Sequence, residues 1–165
     1  MNKTFFTIAI VGILLLARAQ AEEFQVGFAQ LSITPDIIDQ WVDVNDDAQF
    51  DPDIDLWTDV NGNGKFDAVW MAGFQNKRPA QGVKDNLMAV AVVMDDGKNR
   101  IGIVSVDTVG LMRKFVLGVR EAVPAEWGLD YLMVHATHNH EGPDTQGLWG
   151  PGFFSTGVDP NYMDQ

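Results

Sequence analysis

Apolar and polar positions alternate from Phe24 to Thr34 (FQVGFAQLSIT) and the alternation stops at Pro35, which predicts a first strand ending in a turn. Leu87 to Met94 (LMAVAVVM) and Ile101 to Val106 (IGIVSV) are near-continuous apolar runs, separated by Asp95-Asp96-Gly97-Lys98-Asn99. Asp-Gly between two such runs is a strong hairpin signal, so the pair reads as a hairpin in a sheet core. After Asp107 the period changes. Val109, Met112, Val116, Val119 and Val123 recur three and four residues apart, predicting an amphipathic helix over Thr108 to Val123 that stops at Pro124. The run Tyr131 to Ala136 (YLMVHA) then completes a strand, helix, strand unit, whose two strands lie parallel. The fold class is therefore α/β: a mixed β-sheet with a flanking helix.

Between the first strand and the hairpin the composition shifts. Residues 36–67 hold ten Asp, no Glu and one basic residue, Lys65, with Trp41, Phe50, Trp57 and Phe66 threaded through them and Trp70 just beyond. Residues 36–70 thus read as an acidic insertion whose aromatic residues fold it onto something.

The first 21 residues carry Lys3, an apolar run from Phe5 to Leu16 and the pattern Ala19-Gln20-Ala21, which is a secretory signal peptide cleaved after Ala21. Export to the periplasm or the exterior is expected, with residues 22–165 as the mature part. Loss of Lys3 and Arg18 leaves 9 basic against 23 acidic side chains, a net charge of −14. Such a chain repels phosphate backbones and excludes nucleic acid as a partner, while it favours cations. With no cysteine, any metal is held by His, Asp, Glu or backbone oxygen. The end of the chain reads as a helix start, Asp159 capping and Pro160 at the first position, so the sequence is expected to be the N-terminal piece of a larger domain.

The three histidines, His135, His138 and His140, lie within six residues at the end of the last strand. Residues two apart share a face in extended chain, so His138 and His140 converge on one ion if that geometry continues past Ala136. His135 would point to the opposite face as a packed, hydrogen-bonded core residue. Both strand ends, at Asp107 and at His138, open on the carboxyl edge of the sheet, where ligand sites of open α/β sheets collect. Asp107 has two readings: a carboxylate that orients a ligand histidine, or the N-cap of the following helix.

Thr137-His138-Asn139-His140-Glu141-Gly142-Pro143 resembles the Thr-His-Thr-His-Ser-Gly-Pro segment of the neutral/alkaline, non-lysosomal ceramidases. Val26-Gly27-Phe28-Ala29, Ile33-Thr34-Pro35, Val104-Ser105-Val106-Asp107 and Asp144-Thr145-Gln146-Gly147-Leu148-Trp149-Gly150 are similar to the same N-terminal domain. The resemblance implies zinc-dependent hydrolysis of a linear amide, in an N-acyl-sphingosine or a related N-acyl lipid, with contact to a membrane surface through the substrate. It implies His138 as a zinc ligand and His140 as a stabiliser of the transition state beside the metal, the remaining ligands, a His, a Glu and a Tyr, lying beyond Gln165; this chain alone is then expected to be inactive. Asn139, Glu141, Lys84 and Val90 depart from the family's usual Thr, Ser, His and Arg. These departures bear on ceramide as substrate more than on zinc.

Asp59, Asn61, Asn63 and Asp67 occupy the first, third, fifth and ninth positions of a calcium loop, with Gly64 at the sixth, but Trp70 stands at the twelfth, where a bidentate acid belongs. Asp43 to Asp51 is a looser copy with Ala48 in the glycine position, and Asp53 or Asp55 is a candidate to complete a site across the two. Structural calcium and a solvated acidic turn are the two readings. For the whole chain, the alternatives to a ceramidase-like zinc amidase are another His-x-His metallohydrolase of amidohydrolase type and a calcium-stabilised exported binding module.

Overall fold

A computed structural model describes residues 23–164, so the expected signal peptide lies outside the described part. Strand β1 (Gln25–Ser32) runs antiparallel to β4 (Met88–Asp95), which forms the expected antiparallel hairpin with β5 (Arg100–Val106). β5 lies parallel to β6 (Tyr131–Ala136), giving a four-stranded mixed sheet in the order β1-β4-β5-β6. The hairpin turn is built on Asp96, whose carboxylate accepts from the backbone N–H groups of Lys98 and Asn99 and holds its own pKa below the ordinary carboxylate value.

Helix α1 (Arg113–Ala122) fills the crossover between β5 and β6, five residues shorter at its start than the apolar period predicts. Met112 stands at its N-cap and no side chain caps it, so Asp107 does not act as the helix cap. The reason is that Thr108 to Gly110 are drawn onto the sheet edge: Asn139 N–H donates to the Thr108 carbonyl at 3.1 Å and the Thr145 hydroxyl to that of Gly110 at 2.6 Å. Thr108 and Val109 are buried there.

One sheet face carries Val26, Phe28, Val92, Met94, Ile103 and Met133 in register and bears no charged side chain. The described residues leave it uncovered: Phe28 is 80% exposed and Met133 40%. Leu129 lies against Gly102 on the opposite face, where Gly102 and Val134 are buried.

The acidic insertion is a folded unit rather than a plain loop. It contains a two-stranded sheet, β2 (Gln40–Val42) and β3 (Leu56–Thr58), with Trp41 opposite Trp57. Phe50 stacks on Phe66 at 4.1 Å between ring centroids, and Phe66 meets Trp57 at 5.5 Å and Trp70 edge-on at 6.2 Å. Burying each large ring contributes about 2–3 kcal/mol, which is what lets so polar a segment hold one conformation. The two acidic loops are backbone copies of each other: Asp46 and Ala48 take φ of 59° and 58°, and their counterparts Gly62 and Gly64 take 70° and 75°.

Candidate metal and catalytic site

The chain leaves β6 at Ala136, and Thr137 N–H adds one further ladder bond to the Val106 carbonyl. His138 then turns into the left-handed region at φ 64°, and the Asn139 side chain accepts the Glu141 N–H at 2.8 Å to close the turn. Extended geometry therefore does not continue past Ala136 as expected. The two imidazoles nevertheless converge, through the turn: their Nε2 atoms stand 3.2 Å apart and their ring centroids 4.8 Å. A non-glycine residue at such a φ costs about 1–2 kcal/mol, a cost met with at sites where a side chain must be aimed.

His138 Nδ1 lies 2.7 Å from the Val109 carbonyl oxygen. A carbonyl only accepts, so Nδ1 carries the proton and Nε2 keeps its lone pair, directed at His140. The orienting partner of His138 is thus a backbone oxygen of the β5–α1 turn. Asp107 makes other contacts: its carboxylate accepts from Met88 N–H at 2.9 Å and from the Thr137 hydroxyl at 3.1 Å, tying β4 and β6 together beneath the histidine turn. It touches neither imidazole among its hydrogen bonds. His135, expected in the core, is exposed on β6, with Nδ1 3.3 Å from the Ala136 carbonyl, because it falls on the uncovered sheet face.

The histidine turn is gripped by a strap, residues 69–80, that leads out of the acidic insertion. Trp70 bridges to Pro79 and Met71 to Pro143; Ala72 N–H donates to the Gly142 carbonyl at 3.0 Å and Asp144 N–H to that of Trp70 at 2.8 Å. The segment after the turn is organised by Asp144, 1% exposed, whose carboxylate accepts from the N–H groups of Gln146, Gly147, Trp149 and Gly157. Neither the strap nor this hub was identifiable from residue type alone; the clustering of glycine, proline and Asp144 in residues 142–157 was the signal that something there is fixed.

A cleft of about 870 Å³ opens at the carboxyl edge of the sheet. It is lined by the polar Asp107, Thr137, Asn139 and Glu141 together with the apolar Leu87 and Met71. The two imidazoles are not among its walls; they lie beside it across the turn, His138 exposed and His140 half-buried. Among the described residues no group of three or more His, Asp or Glu is gathered as a metal site.

In the acidic unit, Asp59 accepts from the N–H groups of Gly62, Asn63 and Gly64, and Asp67 from the side-chain amides of Asn61 and Asn63 at 2.6 and 2.7 Å. The four residues expected as calcium ligands are therefore brought together in one loop. Asp55 closes the other loop, accepting from Val44 and Asp51 N–H; the counterpart for Asp59 to Asp67 is Asp39, which sequence reasoning did not single out. Its position sixteen residues before Asp55, in step with the repeat, was the available signal.

No family model matches the chain, and no curated protein matches it. Among solved structures it is similar to the neutral ceramidase from Pseudomonas aeruginosa, with 17% sequence identity, a TM-score of 0.49, and coverage of 73% of this chain and 16% of that one. The chain thus spans about a sixth of the length of that ceramidase.

Proposed function

We propose that this chain is an exported contributor to the active site of a zinc-dependent amide hydrolase of the neutral ceramidase type, acting on an N-acyl lipid. The observation that carries the reading is the pair of Nε2 atoms 3.2 Å apart, with the outer nitrogen of His138 bonded to a carbonyl. Two nitrogens on one tetrahedral zinc, each at about 2.0–2.1 Å, stand about 3.3 Å from each other. The two imidazoles fit two corners of such a site, and a histidine whose second nitrogen is fixed by an oxygen is the usual form of a ligand.

His138 would hold the metal through Nε2, in the tautomer that Val109 enforces. When bound, zinc supplies a more acidic water and a polarised acyl oxygen. His140 either shares the metal or keeps its own Nε2–H and aims it at the oxygen on which negative charge develops, a role neutral imidazole can fill without a change of protonation. Asp107 fixes the turn from below through Thr137. The cleft beside the turn, lined by both apolar and polar side chains, suits a lipid amide, and the lipid would bring the protein to a membrane surface. The acidic unit is proposed to bind calcium as a structural ion, with oxygen atoms of Asp59, Asn61, Asn63 and Asp67 as ligands once the two amides turn their oxygens inward.

The test is zinc bound at equilibrium dialysis by the full chain, with His138→Ala and His140→Ala beside it. Zinc bound by the parent and lost by His138→Ala supports the reading, and loss by His140→Ala as well marks His140 as a second ligand; equal zinc in the parent and His138→Ala refutes it. Release of labelled fatty acid from a fluorescent N-acyl-sphingosine by the full-length gene product, abolished by His138→Ala, tests the substrate class.

A further inference from the structure

His140 belongs to a turn that has no regular secondary structure, so something outside the turn must fix where its ring lies. The strap supplies three contacts, one to the backbone carbonyl of the residue and two to its ring. The Arg78 Nη2 donates to the His140 carbonyl at 2.6 Å and to the Ala72 carbonyl at 2.5 Å, binding strap and turn through one nitrogen. The same guanidinium is 3.6 Å from the Glu141 carboxylate and lies 4.8 Å from the centroid of Phe74, with its side chain only 13% exposed. Phe74 in turn meets the His140 ring edge-on at 5.3 Å. Gly73, at φ 103°, lets the backbone pass flat against that ring; a methyl group there would overlap the imidazole Cγ and Nδ1.

We propose that Arg78 is the positioning residue for His140, and that Gly73 is the surface on which its ring rests, so that the strap leading from the acidic unit sets the separation of the two imidazoles. Lysine cannot replace Arg78 fully, because a point ammonium cannot donate to the two carbonyls with one nitrogen, face the Glu141 carboxylate with another and lay a planar group over the Phe74 ring. The proposal deepens the metal-site reading and takes its functional meaning from it. Its geometric content, the ring separation, can be read without any metal.

The experiment uses the full chain with ¹⁵N-labelled histidine, in the parent and in Arg78→Gln, Arg78→Lys and Gly73→Ala. The metal-free readout is the nuclear Overhauser effect between ring protons of His138 and His140; the second readout is the shift of each Nε2 on adding Zn²⁺; the amide signals of β4 and β5 report the fold. The expected result is a ring-to-ring effect in the parent that is lost in Arg78→Gln and Gly73→Ala and weakened in Arg78→Lys, with the sheet signals unchanged and zinc affinity reduced about 10-fold or more. A ring-to-ring effect that persists in Arg78→Gln and Gly73→Ala, or is missing from the parent, overturns the proposal. Should Arg78→Gln lose the sheet signals, Arg78→Lys and Gly73→Ala decide by the same criterion. A strap-dependent ring contact in a parent whose Nε2 atoms ignore zinc sustains the positioning role and refutes the metal reading instead.

Discussion

Asp39 and Asp55 exchange loops across the β2–β3 pair. Asp39 precedes β2 yet its carboxylate takes the N–H groups of Val60 and Asp67 in the loop after β3, while Asp55 precedes β3 and takes those of Val44 and Asp51 in the loop after β2. Antiparallel pairing places the start of each strand beside the end of the other, which makes the exchange geometrically direct. Both acids are buried, at 1% and 5% exposure, and each satisfies two backbone donors. Removing either by Asp→Ala strands two N–H groups in a low-dielectric site and is expected to lower stability by about 2–4 kcal/mol, measured by urea melts; Asp53→Ala, exposed and outside the exchange, is expected to change it by less than about 0.5 kcal/mol.

Ala48 occupies the left-handed position that Gly64 fills in the sister loop. Glycine has no penalty there, so Ala48→Gly is expected to stabilise the protein by about 1 kcal/mol, a rise in Tm of about 3 °C by calorimetry. The converse change, Gly64→Ala, should lower Tm by a similar amount.

Calcium is expected to raise Tm at millimolar concentration and a chelator to reverse the effect, because an ion bound only by the folded loop shifts unfolding by mass action. The shift should vanish in Asp59→Ala. Melting curves that coincide with calcium, chelator or neither would remove calcium from the account.

The Tyr162 hydroxyl is buried with no hydrogen-bond partner among the described residues, and burial pushes its pKa from 10.0 up to about 12. Below pH 10 the folded and unfolded chains are both protonated and the group is neutral in the balance. Between about pH 10 and 12 the unfolded chain ionises first, so stability falls as pH rises, by about 1 kcal/mol after allowance for partial exposure. Tyr162→Phe should abolish that slope and, by removing an unsatisfied hydroxyl, leave the protein no less stable at pH 8. Stability profiles of the two proteins across this range provide the check.

Asp144→Asn keeps one carbonyl oxygen but turns an NH₂ toward donors that the carboxylate had accepted. A loss of about 2–4 kcal/mol is expected, read by denaturant melts, with the signals of Gln146 to Gly157 changing first on titration with denaturant.

The sheet was legible because its strands are apolar runs closed by turn residues: Asp96-Gly97 marks the β4–β5 hairpin and Pro35 the stop after β1. The crossover helix was legible in period but not in start, since Thr108 and Val109 are apolar-compatible residues that the sheet edge claims before the helix can. The final Asp159 and Pro160 gave the cap and first residue of α2 (Pro160–Met163) correctly, because capping is a local matter. The histidine pair was legible as a pair, yet the route by which the rings meet was not: the φ of His138 is set by Asn139, Thr108 and Val109 acting from two chain segments, and no spacing rule contains that. The short β2 and β3 were hidden for a different reason, three residues each being too few for alternation to register against ten aspartates.

The Arg78 guanidinium reaches a backbone carbonyl 62 residues along the chain. Closing so long a stretch of chain costs more conformational entropy than closing the local β4–β5 hairpin. The separation of the two imidazoles is therefore set only when distant parts of the chain have closed on each other. A partly folded polypeptide would carry both histidines without the 3.2 Å approach of their Nε2 atoms.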